Sequence, residues 1–218
     1  MSAAPVLALA IVISGRGSNM AAIARACAAG RIRARVACVI ADRPNAAGIT
    51  LARELGLAVS VVAARDFACR EDFEAALQQA IEASGAQLVV LAGFMRILSA
   101  GFTRHFADRM LNIHPSLLPQ FPGLHTHERA LQEHAREHGA TVHYVTSELD
   151  AGPLVLQSRV PVLSGDTPDS LAARVQACEH VIYPRVIGWI AEGRLQAQSG
   201  KLRFDGRPLD QPMLAEAP

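Results

Sequence analysis

The stretch 6–30, VLALAIVISGRGSNMAAIARACAAG, decides the fold. Val6–Ile13 is apolar without alternation, the pattern of a strand buried on both faces. Ser14-Gly15-Arg16-Gly17-Ser18-Asn19 then turns the chain. Met20–Ala29, rich in alanine, reads as a helix that closes at Gly30.

The same alternation continues outward from this unit. A second apolar run, Val36–Ala41, ends in the turn Asp42-Arg43-Pro44-Asn45, and a helix near 47–55 stops at Gly56. Ala58–Val62 is a third strand. Glu71–Ala83 is helical, with Phe73, Leu77 and Ile81 four apart on one face. Gln87–Ala92 is a buried strand ending at Gly93, and a helix over Ser99–Phe106 leads to the strand that carries Asn112 and His114. Thr126–Arg136 reads as a helix stopped by Gly139, followed by strands at Ala140–Thr146 and Leu154–Pro161. Thr167–Ala191 is one long helix, either continuous or interrupted before Pro184. Leu195–Gln198 and Leu202–Phe204, separated by Ser199-Gly200, form a terminal hairpin. Repeated strand–helix units predict an α/β fold: a doubly wound, mostly parallel sheet in a single domain over 1–194, with 195–218 as a tail packed on or trailing from it. In such folds ligands lie beyond the carboxyl ends of the strands. Three polar clusters fall there: Ser14–Asn19, Gly93–Ser99 and Asn112–Pro119.

Composition narrows the function. Half of the 218 residues are hydrophobic and 5% are aromatic, so the core is aliphatic. A net charge of +1 argues against general nucleic-acid or membrane-surface binding. Lys201 is the only lysine among 21 basic residues, so any other cationic anion site uses guanidinium. Cys27, Cys38, Cys69 and Cys178 contain no C-x-x-C pair and suggest neither a disulfide frame nor a structural zinc. Met1–Ala10 is apolar but lacks a basic leader and runs into a strand pattern. The expected location is the cytoplasm.

Four segments carry chemistry. Gly17, Ser18 and Asn19 sit between a strand and a helix, where backbone N–H groups and the helix dipole suit a phosphate. The third glycine of the dinucleotide fingerprint is absent, and an ordinary turn with Ser18 as N-cap is the alternative. Asn112 and His114, two apart on extended chain, face the same side. Pro115, Pro119 and Pro122 stiffen the chain beyond them. An amide that meets oxyanion charge and an imidazole that moves protons suit a carbonyl reaction, whereas a capping Asn and a packed His would suit none. Asp150, in Glu148–Pro153, is either a carboxylate that orients an imidazole or a solvated turn acid. His134-Ala135-Arg136-Glu137-His138 spells H-x-x-E-H, a zinc peptidase pattern. Its neighbours read as a solvated helix end, so no metal is expected.

Together ISGRGSN, LAGFMRILS, NIHPSLLPQFPGLHTH, VTSELDAGP and RVQACEHVIYP resemble the folate-dependent formyltransferases that act on glycinamide ribonucleotide, in register from residue 6 to about 194. The resemblance implies a Rossmann-like fold and 10-formyltetrahydrofolate as cosubstrate. It implies Asn112, His114 and Asp150 as the catalytic trio, with Asn112 stabilising the oxyanion, His114 as acid/base and Asp150 orienting His114 and favouring its charged form. Gly17, Ser18, Asn19 and Glu179 fall on the ribonucleotide site. Arg70, Met95, Arg96, Ile97, Leu98 and Asn112 fall on the folate site. The implied partners are two small molecules, with no nucleic acid, no membrane, and a monomer or weak homodimer. Departures are Met20, where leucine is usual, and Ala151, where a second glycine often precedes Gly152. Related activities share the trio: formyltetrahydrofolate hydrolysis, and formylation of initiator tRNA, for which no basic patch is evident. A noncatalytic phosphate-binding module is the reading from a different class.

Overall fold

In the computed structural model, which describes residues 6–216, the strand–helix alternation folds into one eight-stranded sheet covered on both faces. The elements are β1 (Leu7–Ile13), α1 (Ser18–Ala28), β2 (Ala34–Ala41), α2 (Ala47–Glu54), β3 (Val59–Val61), α3 (Arg70–Ala83), β4 (Leu88–Leu91), α4 (Ala100–His105), β5 (Met110–His114), α5 (Thr126–Gln132), β6 (Glu137–Tyr144), β7 (Leu154–Pro161), α6 (Pro168–Ala191), β8 (Leu195–Gln198), β9 (Lys201–Phe204), β10 (Arg207–Pro208) and β11 (Met213–Ala215). Spatial order is β11-β7-β6-β5-β4-β1-β2-β3. Pairs from β5 through β3 and the β11–β7 pair are parallel, whereas β5–β6 and β6–β7 are antiparallel.

β1 lies in the middle of the parallel part. Leu9, Ile11 and Ile13 point into the layer that holds α1 and α6, while Ala10 and Val12 point into the layer of α3 and α4. This is the period of two expected of a strand, with both faces apolar. The chain first winds outward through β2 and β3, then returns to the other side of β1 with β4. That reversal opens a crevice at the carboxyl ends of β1 and β4, where such folds bind ligands.

One open alternative is settled and two expectations are corrected. Helix α6 runs through Pro184 without a break. Buried Ile182, Tyr183, Val186 and Ile187 hold it to the sheet on both sides of the proline. The Tyr183 hydroxyl meets the carbonyls of Leu91 and Leu111 at 2.9 and 3.1 Å. Next, α5 ends at Gln132 rather than Arg136, and the chain leaves it through His134, whose φ is 50°. Glu137 and His138 belong to β6, so the H-x-x-E-H spacing spans a helix end, a turn and a strand. Gly139 is a close-packing glycine and not a helix stop: a Cβ there would lie 2.0 Å from the Ser158 carbonyl oxygen. Finally, the tail does more than form a hairpin. β8, β9 and β10 make a small sheet, and β11 then adds to the main sheet beside β7. The Asp108 carboxylate pins the hairpin turn by accepting from Ser199 N and Gly200 N at 2.7 and 3.1 Å.

His138 is thus a core residue, 1% exposed, with Nε2 3.2 Å from His127 Nδ1. Burial, reinforced by the His127 and His114 rings, pushes its imidazole down to about 4. The unfolded chain takes up this proton near the ordinary value of about 6.5 and the folded chain does not, so stability is lost as pH falls from about 6.5 through about 4. The full shift corresponds to about 3 kcal/mol. Urea unfolding at pH 7 and pH 4.5 should show a smaller loss on acidification in His138→Asn than in the unaltered chain. An equal loss would remove His138 from the acid response. His134→Gln, at an exposed turn, should change stability at pH 7 by no more than about 0.5 kcal/mol.

Candidate active site

Two clusters form at the carboxyl end of the sheet. The first is built on the turn after β1. Gly17 takes φ 75° and lies so close to Gly48 that a Cβ would stand 2.9 Å from the Gly48 Cα, so only glycine fits. Gly17, not Ser18, is the N-cap of α1. Ala21 N is the first to bond back, to Gly17 O, so the N–H groups of Ser18, Asn19 and Met20 have no partner within the helix. Helix α6 braces this turn from below. Asn19 Nδ2 donates to Glu179 Oε2 at 2.7 Å, and Gln176 Nε2 donates to Ser18 Oγ at 3.1 Å. Burial pushes the Glu179 carboxyl up to about 7, against the opposing pull of the Asn19 amide and the Arg16 charge. Gln176 escapes a reading of the sequence. Its signal is the spacing of three from Glu179, which puts both on one face of α6.

The second cluster lies at the end of β5. Asn112 and His114 stand on the same side of this strand, and the proline-rich chain beyond them is pinned from the neighbouring strands. Thr141 Oγ1 donates to Ser116 O at 2.7 Å, and Gln157 Nε2 donates to Leu118 O at 2.7 Å. His114 Nε2 is 2.9 Å from the Phe121 carbonyl, which places a proton on that nitrogen. Its Nδ1 faces Asp150 Oδ2 at 3.4 Å, and Gly123 N donates to the same oxygen at 2.8 Å. Asp150 takes φ 52° in its loop. The next two residues resolve the question of Ala151. Ala151 is exposed, whereas a Cβ on Gly152 would lie 1.9 Å from the Tyr144 carbonyl oxygen. The indispensable glycine is therefore present.

His143 is the residue that sequence reasoning misses. It sits opposite Asn112 in the β5–β6 register, a relation that a single strand pattern does not reveal. Its Nδ1 lies 3.0 Å from the Tyr144 carbonyl, which puts the proton there and leaves Nε2 as an acceptor. Asn112 Nδ2 fills that role as donor at 3.2 Å. Burial lowers the His143 imidazole, against the Tyr144 carbonyl and the Asp150 charge, and so favours this neutral form. One amide N–H of Asn112 is thereby fixed and the other is left to meet a ligand.

Asn112, His114, His143 and Asp150 line one cavity of about 440 Å³ together with Met95, Arg96, Ile97 and Leu98. Leu91 and Val145 add apolar wall, while Met95 and Ile97 are 60% and 65% exposed at its border. Ser14 Oγ accepts from Met95 N at 3.0 Å, which ties this wall to the end of β1. Arg70 does not line the cavity. It borders an adjoining cleft that shares Met95, Arg96 and Ile97. Gly17, Ser18, Asn19 and Glu179 form their own cluster across α1 and α6.

The carboxyl-end crevice with an apolar wall and a convergent amide, imidazole and carboxylate defines a small-molecule enzyme. Residues 7–187 match the formyl transferase family, and the chain belongs to it. It is 48% identical over 201 residues to the phosphoribosylglycinamide formyltransferase of Escherichia coli K12, covering 92% of this chain and 95% of that protein. A solved phosphoribosylglycinamide formyltransferase of Coxiella burnetii is similar with a TM-score of 0.91 and 44% identity, over 96% of this chain and 99% of that one. A formyltetrahydrofolate deformylase of Pseudomonas putida KT2440 superposes with a TM-score of 0.84 at 26% identity, over 94% of this chain and 72% of that one.

If His143 acts by aiming the Asn112 amide, the two residues should be non-additive. His143→Ala alone should lower kcat for formyl transfer about tenfold or more, and Asn112→Ala by about 10²–10³. In the Asn112→Ala background, His143→Ala should then cost little further. Full additivity in that double-mutant cycle would mean that His143 acts independently of Asn112.

Proposed function

We propose that the chain transfers the formyl group of 10-formyltetrahydrofolate to the amine of glycinamide ribonucleotide, a step of de novo purine synthesis. The observation that carries this reading is the pair of clusters on one sheet edge. A helix-start cradle suited to a phosphate lies beside an apolar-walled cavity that ends in Asn112, His114 and Asp150.

The cavity suits a flat heterocycle: about 440 Å³ is within the range for such ligands, with apolar walls and a few polar groups at one end. The folate supplies an already activated formyl group. Asn112 donates its free amide N–H to the charge that develops on the formyl oxygen. With Nε2 held by the Phe121 carbonyl, His114 moves the proton between the attacking amine and the leaving nitrogen through Nδ1, and the Asp150 carboxylate at 3.4 Å from that nitrogen is the partner for the charge the ring carries meanwhile. Ser18, Asn19 and the N-terminal N–H groups of α1 hold the phosphate, and Glu179 accepts from Asn19 and takes part in the ribonucleotide site. None of these roles calls for a metal ion.

The partners in this reading are the two small molecules, with the protein a monomer or weak homodimer in the cytoplasm. A net charge of +1 supports the choice of small ligands over polyanions. Among the described residues, no helix is long and apolar enough to cross a membrane. The likeness to a deformylase keeps hydrolysis as the second reading.

Spectrophotometric release of tetrahydrofolate should depend on added glycinamide ribonucleotide. Equal release with water alone would make the chain a hydrolase. Glu179→Ala should raise KM for the ribonucleotide about tenfold and change KM for the folate much less, since the cradle and the folate cavity are separate. The reverse pattern would mean the two pockets are assigned backwards.

A further inference from the structure

Both members of the His114–Asp150 pair are held by one short segment of backbone. The Phe121 carbonyl lies 2.9 Å from His114 Nε2, and Gly123 N donates to Asp150 Oδ2 at 2.8 Å. Pro122 stands between them, and its own carbonyl accepts from Arg129 Nη1, on α5, at 2.7 Å. The same guanidinium lies 5.5 Å from the centre of the Phe121 ring, which also meets the His138 ring edge-on at 5.8 Å. Arg129 thus grips the middle of a bridge, Phe121–Gly123, whose two ends hold the two catalytic side chains.

The bridge needs such a grip. Phe121 takes φ 52°, in the left-handed region that disfavours a bulky side chain, so its surroundings must hold it there. A guanidinium donating to a backbone carbonyl is a stronger tie than a neutral donor, and the cation near the ring adds to it. What the tie protects is the state of the His114 ring. With the Phe121 carbonyl at Nε2, the neutral ring carries its proton on that nitrogen and leaves Nδ1 free to accept one. If the carbonyl drew back, the proton would be free to sit on Nδ1, 3.4 Å from Asp150 Oδ2, and block that nitrogen.

We propose that Arg129 is a positioning residue for the transfer step. By clamping Phe121 and Pro122 it keeps the Phe121 carbonyl on His114, and so selects the ring form that can take up a proton at Nδ1. This rests on the reading of His114 as the proton carrier. Arg129 itself does not line the cavity, so its effect falls on kcat and not on KM for either substrate.

The test replaces Arg129, a half-buried residue, by Ala, Gln and Lys. Arg129→Ala should lower kcat about tenfold, as for a small displacement of a reacting group, and leave KM for the formyl donor and the ribonucleotide within about threefold. Arg129→Lys, which keeps the cation and a donor, should recover most of the loss. Guanidinium ion added to Arg129→Ala should recover part of it without raising kcat of the unaltered enzyme. Nitrogen NMR of labelled histidine gives a readout independent of turnover. At alkaline pH the neutral His114 ring of the unaltered chain should carry its proton on Nε2, and Arg129→Ala should move a measurable share of it to Nδ1. If Arg129→Ala does not fold, Arg129→Gln, which keeps a neutral donor and no cation, decides the matter by the same two readouts. An unchanged kcat, a loss carried in KM, or a lower kcat with the proton still wholly on Nε2 would overturn the proposal. No ribonucleotide-dependent turnover in the unaltered enzyme would instead remove the functional reading. The place of the His114 proton then upholds or overturns the clamp by itself.

Discussion

Leu9–Ile13 in β1 are wholly buried, flanked by β2 and β4 and covered by a helical layer on each face. A strand in that position can carry no polar side chain, because nothing around it would satisfy one. The chemistry is therefore displaced to the first residues beyond the strand, from Ser14 onward. The same holds for β4, where the first polar side chain past Leu91 is that of Arg96. β5 differs because its last residues already face the crevice, so Asn112 and His114 can stand on the strand itself. Most of the site is thus loops hung on a rigid apolar frame, and the few groups on strands are those held most firmly.

Long apolar runs bounded by glycine are readable without coordinates because burial on both faces leaves no ambiguity about which residues belong to the strand. The strand expected over Leu154–Pro161 agrees with β7 end to end. The pairing of Asn112 with His114 is readable too, since a spacing of two suffices. What escapes depends on contacts between distant segments. His143 enters through strand register, Gln176 through the docking of α6 under α1, and β11 through three residues that become a strand only beside β7. Helix α5 reads too long because the polar residues after Gln132 suit a solvated helix as well as a turn, and only burial of His138 distinguishes them. Arg70, which the resemblance counts among the folate positions, borders a cleft that shares Met95, Arg96 and Ile97 with the main cavity, a neighbourhood that its place at the start of α3 does not reveal in sequence.

Four carboxylates near the crevice share one design with different partners. Asp42 and Glu74 each accept from an arginine Nε, Asp150 accepts from the Gly123 backbone and faces His114, and Glu179 accepts from the Asn19 amide. Each is largely shielded from water, so its direction is set by the donor it meets. At Glu74 the Ser99 and Arg70 donors outweigh burial and lower the carboxyl, whereas the single amide at Glu179 does not offset its burial, and its carboxyl is pushed up to about 7. Glu74 and Glu179, buried to the same degree, are therefore acids of unlike character because their donors differ.

Trp189 is the only tryptophan in the chain, and its ring meets Phe204 of the terminal hairpin edge-on at 4.9 Å. It lies ten residues past Glu179 on α6, about 15 Å along the helix axis. Intrinsic fluorescence excited at the indole thus reads the seating of β9 on α6. Quenching or a red shift reports departure of the tail, and a ligand settling in the cradle alters the emission only if the tail moves with it.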